Sequence, residues 1–149
     1  MIMLSFISAK AGQMAGHIYT AVESIRYLNG NAKKIVESNL DAYLSGAQGP
    51  DICGVVMPKL NMLSYFNAIG EETHYSDKKA KLAIFLLSCA RNDKERAYAL
   101  GWISHYLNDV QVHSVVNKYG GFYEKFSAHH KELEMLETKR VLTKYSSII

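Results

Sequence analysis

The 149-residue sequence predicts an all-α fold, a single-domain multi-helix bundle of five or six helices. Three observations lead there. Apolar residues recur at the helical period, and alternating strand patterns are scarce. Only two prolines interrupt the chain, and both, Pro50 and Pro58, fall in one segment. Finally, 48% of residues are hydrophobic, so a chain of this length can bury roughly two-thirds of its unfolded surface without a disulfide framework.

The elements follow in order. Ile18, Ala21, Val22, Ile25 and Leu28 share one face of a helix expected from His17 to Leu28, closed by Asn29-Gly30. Ile35, Val36, Leu40 and Leu44 point inward from a second helix expected from Ala32 to Leu44, which Gly46 should end. The stretch from Gly46 to Asp77 holds both prolines and several glycines. It reads as a long functional loop with at most a short helix from Lys59 to Ala68. From Lys79 to Ala90 the pattern is apolar nearly all round, as in a centrally buried helix. Asn92-Asp93 then caps a long helix running to about Val116, with Glu95 and Arg96 in its first turn. Gly120-Gly121 breaks the chain before a last helix over Phe122 to Leu142.

Composition excludes several classes of function. A formal charge of +3 without a long basic run argues against a stable nucleic-acid partner. Cys53 and Cys89 are too few for a disulfide scaffold or a cysteine zinc cluster and are expected as buried thiols. No stretch reaches the roughly 18 to 20 apolar residues of a membrane span. The opening MIMLSFISAKAGQ carries an Ala9-Lys10-Ala11 site like that of a signal peptide. Its apolar run is short and no positive charge precedes it, which favours a cytoplasmic protein over a secreted one.

The chemistry concentrates on the long helix. His105, Asp109 and His113 stand four residues apart. Each step drifts about 40° around the axis, so all three share a face about 80° wide and about 12 Å long. That length exceeds what one zinc can gather at ligand distances of about 2.0 to 2.2 Å. The spacing therefore suggests two or more metals, with Asp109 available as a bridge. Other segments offer matching donors: His17 opens the first helix, His74 ends the loop, and His130 and Glu134 are one turn apart on the last helix. Helical bundles build multi-metal sites by projecting such groups inward from several helices.

Taken together, GAQGPDI, ETHYSD, ALGWISHYLNDVQVHSVVNKYGG and HHKELE resemble the bacterial zinc-dependent phospholipase C family, over about residues 17–134. Its superfamily includes single-strand-specific zinc nucleases. The resemblance implies an all-α domain with two or three zinc ions in a cleft. It pairs His74, His105 and Asp109 on one zinc and His113, His130 and Glu134 on a second. His17 with Asp109 belongs to a third site. In the best-known secreted members that site also takes an amino-terminal Trp, whereas the one tryptophan here is Trp102. Asp51, in the GPD turn, matches the family's catalytic carboxylate, a general base or an orienter of the attacking water.

The implied reaction is hydrolysis of a phospholipid or another phosphodiester, met in part at a membrane surface. Zinc makes a bound water acidic enough to ionise near neutral pH and neutralises phosphoryl charge. Asn108, Ser104 and Tyr75 are candidates for orienting the ligand histidines. Tyr65, Phe66 and Phe122 could line a lipid-accepting cleft, although core packing is the better account of all three. Two alternatives stand beside this reading: a nuclease of the same superfamily, and a non-catalytic domain in which zinc only stabilises the bundle.

Overall fold

The computed structural model describes residues 14–56, 79–121 and 123–145, and among these every regular element is a helix. Helix α1 spans 14–24 and tightens into a 3₁₀ turn at Ile25–Tyr27. α2 is Gly30–Ser38, α3 is Leu40–Val56, α4 is Lys79–Cys89, α5 is Asp93–Gly120 and α6 is Tyr123–Tyr145. The expected all-α class is the observed one. By internal packing the chain forms two compact units. One runs over His17–Asn108, and the other takes in the chain from Asp109 onward with the first turn of α1.

In the first unit, Ala21, Ile35, Val36, Ala42, Tyr43, Ala47 and Ala97 form the buried core. It is dominated by alanine, so the helices meet at short range rather than through long interdigitating side chains. Tyr43 is the largest member, and its ring needs a partner for the hydroxyl. That hydroxyl lies 2.7 Å from Ser24 Oγ and donates to the Ala21 carbonyl at 3.2 Å. One phenol thus ties α3 to the end of α1.

Glycine sets the crossing of α3 and α5. A methyl group on Gly46 would strike the Tyr98 carbonyl and sit 3.1 Å from the Trp102 nitrogen. On Gly101 it would strike the Tyr43 carbonyl and lie 2.8 Å from the Ala47 nitrogen. Gly49 faces the Trp102 ring, 2.5 Å from where a Cβ would stand. The two backbones are in direct contact, a spacing only glycine permits on either side. This overturns the expectation that Gly46 ends a helix, because its role is close approach. α3 runs on through Pro50 to Val56, so the front of the expected loop is helical.

Other boundaries shift for local reasons. The expected helix from Ala32 to Leu44 is two helices, broken at Asn39, whose φ of −138° and ψ of 47° leave the helical region. The Asn39 side chain donates to the Ile35 carbonyl at 3.0 Å, giving the end of α2 a partner without glycine. α4 is not centrally buried. Ile84 and Phe85 are 64% and 61% exposed, and Ala83 carries the fully buried face. An apolar pattern all round a helix does not say which side a neighbour covers. Cys89, expected as a buried thiol, is exposed.

α5 begins as the sequence suggests. Asn92 Oδ1 accepts from the Glu95 amide at 2.9 Å, and Glu95 Oε1 accepts from Asn92 Nδ2 at 3.1 Å. The first bond satisfies an amide of the helix start, as an N-cap does, and the second ties the two side chains together. The Arg91 backbone amide and guanidinium hold the Glu95 carboxyl below the usual carboxylate range. α5 continues to Gly120, one turn beyond Val116, and Gly121 turns the chain with φ of 78°. α6 is bent at Phe126, where φ is −134°. The expected helix from Lys59 to Ala68 lies outside the described residues, as do His74, Tyr65, Phe66, Tyr75 and Phe122.

Replacing an exposed helical glycine by alanine ordinarily stabilises a helix by about 1 kcal/mol. At Gly101 the sign should reverse. Gly101→Ala is expected to lose about 2 kcal/mol through overpacking against Tyr43 and Ala47. Denaturant unfolding monitored by circular dichroism checks this; a gain in stability would show that the helices separate freely.

Candidate metal centre

Two helices supply a first cluster of donors, and a third braces it. Ligand atoms of His17, on α1, and of His105 and Asp109, one turn apart on α5, lie within 4.8 Å of one another, and all three residues are buried. The rings of His17 and His105 stack with centroids 3.7 Å apart and planes 16° from parallel. Two charged imidazoliums would repel at that spacing, so the arrangement favours neutral rings, the form that ligates metals. α3 contributes twice. The Ala47 carbonyl accepts from His105 Nδ1 at 2.8 Å. One turn further on, Asp51 places Oδ2 3.6 Å from His17 Nε2.

The Ala47 contact fixes the chemistry of His105. A carbonyl can only accept, so Nδ1 carries the proton and Nε2 carries the lone pair. His105 is 2% exposed, which makes this orientation a property of the packed interior. Its partner is a backbone group delivered by the glycine crossing, and no side-chain motif could have revealed it.

A second cluster lies wholly within the unit that takes in the chain from Asp109 onward. Ligand atoms of His113, on α5, and of His130 and Glu134, on α6, also lie within 4.8 Å of one another. Glu134 Oε1 is 3.1 Å from His130 Nε2 and 3.4 Å from His113 Nε2. On its other side, His130 Nδ1 donates to the Gly121 carbonyl at 3.1 Å. The tautomer logic repeats: with Nδ1 protonated, a neutral His130 sets its Nε2 lone pair against a carboxylate oxygen. Two acceptors at that distance repel, so positive charge belongs there, either a ring proton or a bound cation. Both donors are buried, where an uncompensated carboxylate is costly.

Both clusters contain two imidazoles and one carboxylate, the mixed nitrogen and oxygen set that suits zinc. In each, one histidine is braced at Nδ1 by a carbonyl, the outer contact that aligns ligating histidines. The donors therefore fit a zinc ion on chemistry and on spacing.

The sequence-predicted residues distribute as follows. His17, His105 and Asp109 come together, with Asp51 beside His17. His113, His130 and Glu134 come together. His74 lies outside the described residues. Asp51 is not in a turn: it follows Pro50 inside α3, with its side chain 23% exposed. His129 is exposed, and its neighbour His130 takes the buried place, as its four-residue spacing from Glu134 suggests. Asn108, a candidate orienting group, puts its amide nitrogen 3.1 Å from His17 Nδ1.

The Ala47 contact has a measurable consequence. In chelator-treated protein, His105→Phe keeps the ring volume but takes the donor from a buried carbonyl. The expected loss is about 1 kcal/mol, at the low end for a buried acceptor because the helix uses its other lone pair. Equilibrium unfolding without metal reads it directly.

A model of a family described as zinc dependent phospholipase C matches residues 16–146. No curated protein and no solved structure matches the chain.

Proposed function

The chain belongs to the zinc-dependent phospholipase C family, and from that premise we propose that it is a zinc-dependent hydrolase of phosphodiesters, with a phospholipid as the leading substrate class. The observation that carries this reading is the pair of donor clusters on a family-matched chain, each with two histidines and a carboxylate and all but His113 buried. In this reading His17, His105 and Asp109 hold one ion, and His74 is the further ligand that the family resemblance implies. His113, His130 and Glu134 hold another, and Asp109 is the natural bridge to a third.

Zinc bound in these clusters supplies Lewis-acid charge for the phosphoryl oxygens and makes a nearby water more acidic. The protein's own groups do the rest. Asp51 sits half-buried beside the first cluster, where a carboxylate can orient the attacking water or accept its proton over about 3 Å. Its position within a helix serves this role better than a loop would, because α3 holds it against drift. The braced tautomer of His105 keeps its lone pair aimed inward through the cycle. Glu134 is the one carboxylate of the second cluster, so a zinc ion held there would keep net positive charge for the monoanionic phosphodiester.

Two measurements test the reading. Chelator-treated protein should take up two or three equivalents of zinc. Each ion bound far above its dissociation constant adds about 4 kcal/mol, and at roughly 2 to 4 °C per kcal/mol each should raise the melting temperature by about 10 °C. Glu134→Ala is expected to remove one equivalent and that ion's share of the rise. Calorimetry with elemental analysis reads both, and a chain that melts identically with and without zinc would refute the proposal.

For turnover, the substrates are a chromogenic choline phosphodiester, phosphatidylcholine vesicles and single-stranded DNA. Release from the first two is expected, with Asp51→Asn lowering kcat by 10² or more, on the order of general-base effects, at full zinc content. Cleavage of DNA alone would transfer the assignment to the nuclease branch. Zinc uptake without any turnover would leave a structural metal domain.

A further inference from the structure

Among the buried histidines with a hydrogen bond on Nδ1, His17 has a different kind of partner. His105 and His130 face backbone carbonyls, of Ala47 and Gly121. Those acceptors permit one tautomer only. His17 faces the side-chain amide of Asn108, with Asn108 Nδ2 3.1 Å from Nδ1. An amide carries a donor at one end and an acceptor at the other, and turning it by a half-rotation exchanges them. As arranged, Asn108 donates, Nδ1 accepts, and the ring proton sits on Nε2. That nitrogen points at Asp51, whose Oδ2 is 3.6 Å away. The His17 ring is otherwise confined by its stack on His105, at 3.7 Å between centroids, so it cannot escape by rotating away.

We infer that Asn108 is a positioning residue that sets the tautomer of His17 and reverses it when a cation occupies the first cluster. The inference rests on the zinc-binding reading above and adds to it a residue-level device. Without a cation, the Nε2 proton faces the Asp51 carboxylate and Asn108 donates to Nδ1. With a cation at Nε2, that proton is lost to solvent as the other ring nitrogen gains one. Nδ1–H then donates to the Asn108 carbonyl oxygen after the amide turns. The proton count on the ring is unchanged, so the imidazole itself stays neutral. An acceptor-only partner would hold His17 permanently ready for metal, as Ala47 does for His105. The amide instead makes His17 the adaptable member, and Asp51 gains or loses its facing proton with occupancy of the site.

The test uses full-length protein labelled with ¹⁵N on histidine. Long-range proton–nitrogen correlation spectra distinguish the two tautomers of His17 directly. The expected result is an Nε2–H ring after chelation and an Nδ1–H ring once zinc is added. Asn108→Asp, an acceptor only, should hold the Nδ1–H form in both states and tighten zinc binding in the first cluster. Asn108→Leu, which offers neither donor nor acceptor, should weaken it by about tenfold, in the range of lost outer contacts, with the second cluster unaffected. Isothermal titration supplies the affinities. If wild-type protein takes up zinc while His17 keeps one tautomer, or if Asn108→Leu binds zinc as wild type does, the role of Asn108 is refuted and the hydrolase reading stands. Failure of wild-type protein to bind zinc would overturn both.

Discussion

The contact of α3 with α5 at Gly46 and Gly101 is the constraint on which the first donor cluster depends. Backbone against backbone, the two helices come closer than any pair bearing side chains at the crossing. At that spacing the Ala47 carbonyl reaches His105, and Asp51, one turn along, reaches the neighbourhood of His17. Metal sites tolerate errors of only about 0.2 Å in ligand distance. A methyl group at the crossing would displace the helices by several times that amount. The core of alanines around Tyr43 belongs to the same solution, since small residues are what allow helices to meet at this range.

The second cluster reaches a similar donor set by different local means. Here the chain turns at Gly121, where a Cβ would strike the Phe126 ring, and Phe126 itself leaves the helical region. The turn offers its Gly121 carbonyl to His130, and α6 then carries Glu134 one turn on, beside His113. A kink and a left-handed glycine here replace the long-range crossing used in the first cluster. Both routes end with an imidazole held by a main-chain acceptor and a carboxylate that balances charge.

Much of this was legible in the sequence. The all-α class followed from the period of apolar residues, and the cap at Asn92 from its side chain. The shared face of His105, Asp109 and His113 followed from helix geometry alone. His130, rather than His129, was singled out by its distance along the chain from Glu134. What escaped has a common physical origin. Gly46 and Pro50 signal helix ends when read locally, but here one serves a partner helix and the other is absorbed within α3. Ile84 and Phe85 look like core because hydrophobicity carries no direction. Ala47 and Gly121 could not be found at all, because they act through main-chain oxygens that every residue possesses.

The unbroken course of α5 also limits how this chain can vary over time. Each residue added or deleted between His105 and Asp109 would turn Asp109 by about 100° relative to His105 and shift it by about 1.5 Å. The carboxylate of the first cluster would leave its histidines at once, whatever the new residue was. Lineages descended from this sequence can therefore explore that helix by replacement but not by insertion, and variation in length has to accumulate elsewhere, in the joints between helices.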